Sequence, residues 1–216
     1  SYRRGVNDTL TAGARAEAQA NGIYALGADA AWQAGMAGIV NAQSAAGGNS
    51  GGTGFLAGLG LEHSGDRLSA FAQTQYVSRT FVQSGMADLL YKPRQRTFTG
   101  LGFDFGRHGN MQVAYGLQSY YDSATVQTFG LSYSLNIGVL GHLGLFASHS
   151  IAGEQNTSLL LNWTLALGDR RTLGASLQQT SGASGGFQAT TSLQRDLPAG
   201  SGFGYRASLS SDDEQD

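Results

Sequence analysis

The chain has 216 residues, with 33 glycines, two prolines, no cysteine and a formal net charge of -2. That length holds one domain or two; the missing cysteine excludes disulfide staples and thiolate metal sites, and the charge balance offers nothing to nucleic acid. Only 13% of residues are charged against 41% hydrophobic, about half the charge density of a soluble domain, so the surface must be part apolar and part uncharged polar, the composition of a barrel with lipid outside and water inside.

In chain order, Ser1–Gly5 carries no apolar stretch after it and so is no signal peptide. It reads as the end of a truncated strand, which makes the chain an internal piece of a longer secreted protein. From Leu10 the side chains alternate with period two, the signature of a strand with one apolar face. Leu10, Ala12, Ala14, Ala16 and Ala18 oppose Thr11, Gly13, Arg15, Glu17 and Gln19. Tyr24, Leu26, Ala28, Ala30 and Trp32 oppose Asp29 and Gln33, and Phe55, Ala57, Leu59 and Leu61 oppose Gly58, Gly60 and Glu62. Residues 37–46 and 67–78 carry polar groups on both faces. Leu101, Phe103 and Phe105 oppose Asp104; Met111, Val113, Tyr115 and Leu117 oppose Gln112, Gly116 and Gln118; Phe129, Leu131, Tyr133 and Leu135 oppose Thr128, Ser132 and Ser134. Leu159, Leu161, Trp163, Leu165 and Leu167 form a wholly apolar set against Ser158, Leu160, Asn162, Thr164 and Ala166. Runs 172–178, 187–194 and 202–209 follow the same rule.

The charges fall on one side of this alternation. Arg15, Glu17, Asp29, Glu62, Asp104 and Arg206 all sit on the polar face, and the apolar face of these strand cores carries no Lys, Arg, Asp or Glu. An arginine or lysine facing lipid at mid-membrane costs about 2–4 kcal/mol, so the segregation predicts that these six residues face a water-filled lumen. The runs approach the roughly 9–11 residues of a tilted transmembrane strand, and no apolar run approaches the roughly 18 residues of a spanning helix. Regular alternation of this kind is foreign to disordered chains.

Tight connections at Val6–Asp8, Gly35–Met36, Ser64–Asp66, Gly106–Gly109, Gly168–Arg170 and Leu197–Gly200 alternate with looser ones at 47–53, 80–96, 122–124, 151–155 and 181–185. Outer-membrane barrels have short periplasmic turns and longer external loops, which places the tight set in the periplasm. The loop 80–96, which holds Lys92, Pro93, Arg94 and Arg96, is then expected outside the cell. Trp32, Tyr121, Phe129, Tyr133, Trp163 and Phe203 are candidates for interfacial aromatic girdles. The expected fold is all-β: an antiparallel transmembrane β-barrel segment of about 13–14 strands, spanning residues 1–216 as one unit and ending on an acidic loop, 211–216.

Several motifs point to a family. Residues 1–11, Ser-Tyr-Arg-Arg-Gly-Val-Asn-Asp-Thr-Leu-Thr, are followed by Ala16-Glu17, Leu26-Gly27-Ala28, Trp32, Gly35 and Gly38-Ile39-Val40. This order resembles the mid-barrel of the fimbrial ushers of the chaperone–usher pathway. Ser64–Ser69 through Gln75–Ser78 and Phe81, then Leu193–Pro198 and Gly204–Arg206, are similar to later usher segments. The resemblance implies a larger barrel of about two dozen strands in the bacterial outer membrane. Such a barrel translocates and assembles pilus subunits delivered by a periplasmic chaperone, with outer-membrane lipid around it and no cofactor. It also implies that the plug and the N- and C-terminal periplasmic domains lie outside this chain. An alternative is a self-contained 14-stranded porin-type passive channel; a third is a soluble structural or adhesive β-protein, which would partition into buffer without detergent.

Enzymatic readings find little support. His63, His108, His142 and His149 form no HExxH, and His142 and His149 are an odd number of residues apart and so face opposite sides. Ser148, His149 and Ser150 invite comparison with barrel lipases, but no G-x-S-x-G elbow exists. Gly47–Gly52 lacks the lysine of a phosphate loop. No catalytic, cofactor or metal residue is assigned.

Overall fold

The computed structural model describes residues 1–84, 91–152, 155–168, 170–182, 185–197, 200 and 202–214, without the side chain of Glu214. It is all-β: β1 (Tyr2–Gly5), β2 (Leu10–Ala18), β3 (Tyr24–Gln33), β4 (Ile39–Asn49), β5 (Gly52–Ser64), β6 (Leu68–Val77), β7 (Pro93–Asp104), β8 (Asn110–Tyr120), β9 (Val126–Asn136), β10 (His142–Ala152), β11 (Thr157–Ala166), β12 (Arg171–Ser181), β13 (Gly186–Arg195) and β14 (Tyr205–Glu214). The sheet order is the chain order, and three single-turn 3-10 segments are the only helical pieces among the described residues. The chain divides into two compact units, Ser1–Leu101 with Ala114–Gln127, and Gly102–Val113 with Thr128–Asp216.

In the first unit the antiparallel register fixes which residues share a face. Arg3, Gly13, Asp29, Gln43, Gly58 and Gln75 form one continuous cross-strand row from β1 to β6, and Arg15, Gly27, Ala45, Leu56 and Val77 form another on the same face. The opposite face carries Leu10, Trp32, Val40 and Leu61, then Ala16, Leu26, Ala46 and Phe55. In the second unit Leu145, Leu161, Leu177 and Ala189 are aligned on one face, and Gly144, Asn162, Ser176, Thr190 and Ser210 on the other. The period-two pattern therefore reads out the real register. Among the strands with this register, charges on the apolar face stand only at strand ends: Arg4, Arg171 and Arg195 at the tight-turn end, Asp213 at the other.

Among the described residues no second layer covers the apolar face. Leu26 is 63% exposed and Leu59 56%, with Trp32, Phe55, Leu61, Leu159, Leu177 and Phe187 also exposed. A sheet that leaves its greasy face bare needs another apolar phase against it. The only cluster of buried hydrophobic side chains among the described residues lies on the polar face of the first unit, where Leu56, Val77 and Phe81 pack together against Ala45.

Three turns share one construction. In Gly35-Met36-Ala37-Gly38, Gly106-Arg107-His108-Gly109 and Gly138-Val139-Leu140-Gly141 both glycines have φ between 59° and 105°. A Cβ on the second glycine of each would lie 2.0–2.2 Å from a carbonyl oxygen of the strand beyond the one the turn opens, Glu62 on β5, Ser134 on β9 and Thr164 on β11 respectively. Only glycine fits such a position. The third turn and the strand after it, β10, escape the alternation rule because Phe146 stands on the polar face and His149 on the apolar one, opposite Leu160 and Thr157.

Other sequence expectations are corrected. Residues 47–53 are not a loop: β4 and β5 pair through Gly47↔Gly54, Gly48↔Thr53 and Asn49↔Gly52. Arg94 and Arg96 belong to β7, since proline is admissible as a first strand residue, and the connection is 78–92. The acidic end continues β14, pairing Asp212 with Gln188 and Asp213 with Phe187, while Phe203 precedes the strand. Parts of the expected connections 80–96, 151–155, 168–170, 181–185 and 197–200 and the last two residues lie outside the described residues.

Candidate functional site

The polar face is the candidate site, and glycine shapes it. At Gly13, Gly58 and Gly144 the polar side chain of a cross-strand partner lies flat across the vacancy. A Cβ on Gly13 would lie 2.5 Å from Asp29 Oδ1, one on Gly58 2.7 Å from Gln43 Nε2, and one on Gly144 2.3 Å from Asn162 Oδ1. The polar groups are thus spread over the backbone rather than raised above it. Flat packing of this kind gives a low wall covered with donors and acceptors.

Several of the charges on this face are held by neighbouring side chains. In the first unit Asp29 Oδ2 accepts from Arg3 Nη2 at 2.5 Å and Nε at 3.2 Å, and Arg15 pairs with Glu17 two residues along β2. Arg3, Asp29, Asn41, Gln43, Gly58 and Glu62 border a shallow hollow of about 290 Å³ on this face. In the second unit Arg206 donates to Gln194 Oε1 through Nη2 at 2.5 Å and Nε at 3.0 Å, and Gln194 Nε2 donates to Asp196 Oδ1 at 2.5 Å. Asp104 closes its turn instead, Oδ1 accepting from Gly106 N at 2.6 Å. The register thus gathers Arg15, Glu17, Asp29 and Glu62 on one face of the first unit, with Arg206 and Asp104 at the turn end of the second. Arg3 and Gln194 were missing from the candidates: Arg3 sits in the short β1, and Gln194 is neutral. Among the described residues no cluster of three or more His, Asp or Glu could hold a metal ion.

A strap crosses the same face. After β6 the chain folds back over β5 and β4. Ser78 exchanges bonds with Phe55, its N donating to Phe55 O at 2.8 Å and its Oγ accepting from Phe55 N at 2.7 Å. Thr80 Oγ1 donates to Thr53 O at 2.8 Å, and Gln19 Nε2 donates to Ser84 Oγ at 2.6 Å. Gly54 and Gly47 are the seats: a Cβ on Gly54 would lie 2.1 Å from Phe81 N, and one on Gly47 2.7 Å from Val82 O. The Phe81 side chain is wholly buried. The glycine-rich stretch that resembles a flexible loop in sequence is therefore a paired strand whose missing side chains make room for the strap. The base of the strap is tied down by an Arg79–Asp122 ion pair at 2.5 Å, by Lys92 Nζ donating to Arg79 O at 2.6 Å and by Tyr121 Oη donating to Val77 O at 2.8 Å. Burial pulls the Lys92 ammonium below its ordinary pKa. Desolvation, aided by the neighbouring Tyr76 hydroxyl, pushes Tyr121 up to about 12.

Aromatic residues mark the two ends of the strands. In the first unit Tyr24, Phe55 and Tyr76 stand at the loop end, the Phe55 and Tyr76 rings 5.7 Å apart, and Trp32 at the turn end. Tyr24 and Trp32 are about 26 Å apart along β3, or about 20 Å along the normal at the tilt usual for barrels. In the second unit Trp163 Nε1 donates to Leu140 O at 2.8 Å and the Tyr133 hydroxyl to His108 O, both at turns.

No family model and no curated protein matches the chain at a significant level. Among solved structures, the P pilus usher (PapC) translocation pore superposes with a TM-score of 0.68 at 16% identity, over 98% of this chain and 52% of that one. At such identity the likeness is one of fold: the chain has the fold of a β-barrel segment of the usher pore, and it spans about half the length of the pore it matches.

Proposed function

We propose that the chain forms part of the wall of an outer-membrane usher pore, through which pilus subunits delivered by a periplasmic chaperone are translocated and assembled. Residues 1–216 belong wholly to that wall, in a larger barrel of about two dozen strands. The polar face of Arg15, Glu17, Asp29, Glu62, Asp104 and Arg206 lines the lumen, the bare apolar face meets outer-membrane lipid, and the tight turns face the periplasm. The observation that carries this reading is the flattened polar face. A folded subunit must slide past without sticking, and a low, mostly hydrogen-bonding surface of mixed charge presents no field of one sign. A passive 14-stranded channel would need none of the flattening and gains nothing from a fold that covers half of a translocation pore.

Photo-crosslinking tests the proposal. A benzophenone side chain at Gln43 or Gln75, in the parent protein during pilus export, should capture the passing subunit, while one at Leu59 or Leu61 should capture none. Capture from both faces, or from neither, would contradict the assignment.

A further inference from the structure

We infer that Arg171 and Arg195 form a binding site for the phosphate of an anionic membrane phospholipid, at the turn end of the apolar face of the second unit. The inference rests on the membrane-embedded reading above. Arg171 opens β12, Arg195 closes β13, and the two are direct Cα partners, which sets their backbones about 5 Å apart. Like charges directly opposite one another destabilise a strand pair, and arginine does not escape by losing its proton. A single anion lying between the two guanidinium groups reverses the sign of that interaction.

The surroundings select the anion. Both arginines share the face of Leu165, Leu173, Leu193 and Ala207, the next residues on that face toward the strand centres. Their stems therefore lie along the hydrocarbon edge with the charged heads at its boundary. Arg195 Cζ sits 5.2 Å from the centroid of the Phe203 ring, whose own centroid is 6.5 Å from that of Tyr205, and Tyr205 is the Cα partner of Arg195. One side of the guanidinium is thus occupied by an aromatic ring, and its N–H fork remains for an oxyanion, which planar guanidinium groups take in bidentate fashion. The backbone beneath is fixed: Arg171 N donates to Gly168 O at 2.8 Å, Leu167 N to Arg171 O at 2.9 Å and Asp196 N to Arg170 O at 3.0 Å. The Asp196 carboxylate accepts from Gln194 instead. An acidic peptide would have to leave water to reach this leucine-flanked position. A phospholipid already carries its phosphate at this depth, with its acyl chains against the leucines.

Native mass spectrometry of the full chain in detergent micelles tests the site, with phosphatidylglycerol, phosphatidylcholine and inorganic phosphate added in separate arms. Near an anionic leaflet each arginine contributes about fivefold in affinity, so the double variant R171Q/R195Q should retain phosphatidylglycerol about twenty-five-fold less tightly. R171K/R195K, which keeps the charge but loses the fork, should fall between. The wild-type chain should hold phosphatidylglycerol in preference to both phosphatidylcholine and inorganic phosphate. Retention indifferent to both double variants would overturn the site, and inorganic phosphate bound as tightly as the lipid would overturn the membrane source. A chain that stays dispersed in buffer without detergent would overturn the embedded reading itself, a distinct outcome.

Discussion

Arg3 on β1 reaches across Gly13 on β2 to the carboxylate of Asp29 on β3, with Nη2 and Nε 2.5 and 3.2 Å from the same oxygen. The bridge spans three strands because the middle one offers no side chain: a Cβ on Gly13 would stand 2.5 Å from Asp29 Oδ1. Both partners are more than one-third exposed, so the pair adds at most about 1 kcal/mol to stability. Its consequence is topographic, since the long Arg3 side chain is laid along the sheet by the carboxylate of Asp29.

The same relation at Gly58 gives a graded test. Gly58→Leu must displace Gln43, whose amide lies 2.7 Å from the new Cβ, whereas the nearest atoms to a Cβ on Gly60 are 3.6 Å away. Gly58→Leu should reduce pilus output and cost about 1–3 kcal/mol of stability, as forced overpacking does. Gly60→Ala should leave both unchanged. Equal pilus output from Gly58→Leu and the wild type would show that the low wall has no bearing on export.

The strap is seated by Gly54 and closed by Phe81. Phe81→Ala should destabilise the first unit by about 3 kcal/mol, the range for a fully buried ring, read from urea unfolding. Gly54→Val should expel the strap without removing any contact of its own. The native chain has no cysteine, so a single cysteine replacing Val82 reports the change: maleimide labelling should be faster in the Gly54→Val background. Unchanged labelling would mean that the strap does not depend on its glycine seat.

Tyr121, which lies just beyond β8, gives the pH dependence. Its pKa is raised to about 12 from 10.0, first by desolvation and then by the neighbouring Tyr76. The folded state therefore favours the neutral phenol, which donates to Val77 O. A group with a raised folded pKa contributes stability that is complete below the unfolded value and lost as pH rises through the folded one. Attachment of the strap should weaken between pH 10 and 12, and Tyr121→Phe should abolish that step in the labelling rate at Val82→Cys. The same step in the variant would assign it to another group.

Charge placed on the two faces should have unequal effects. Leu161→Arg should cost about 2–4 kcal/mol in bilayer-embedded material, while Asn162→Arg, one residue along on the polar face, should cost less than about 1 kcal/mol. Equal penalties would remove the distinction between the faces.

What the sequence reveals follows from the physics that acts locally. Alternation is a property of neighbouring residues, so β3 and β11 are legible nearly to their ends, and the face of Asp29 or Arg15 follows at once from parity. The Gly-x-x-Gly spacing at 35–38 and 106–109 recurs at 138–141, and attention to that repeat would have located the turn before β10. The strap is a different matter. Phe81 is buried against the nearby Val77 but also against Leu56 and Ala45, 25 and 36 positions away, and the glycines at 47 and 54 signify a close approach by a distant segment, which composition alone renders as a flexible loop. Asp213 misleads for a related reason: acidic residues suggest a solvated tail, yet backbone pairing with Phe187 extends the strand to the loop-end rim, where an apolar-face charge still reaches water.

The central claim is that the face of Leu161 and Leu177, direct partners on β11 and β12, meets hydrocarbon. Nitroxide labels at these two positions and at the partnered Asn162 and Ser176, in bilayer-reconstituted protein, separate the phases by their relaxation agents. The account predicts that lipid-soluble oxygen relaxes the first pair and aqueous nickel chelate the second. Labels at Leu161 and Leu177 shielded from oxygen, or relaxed by nickel, would contradict it.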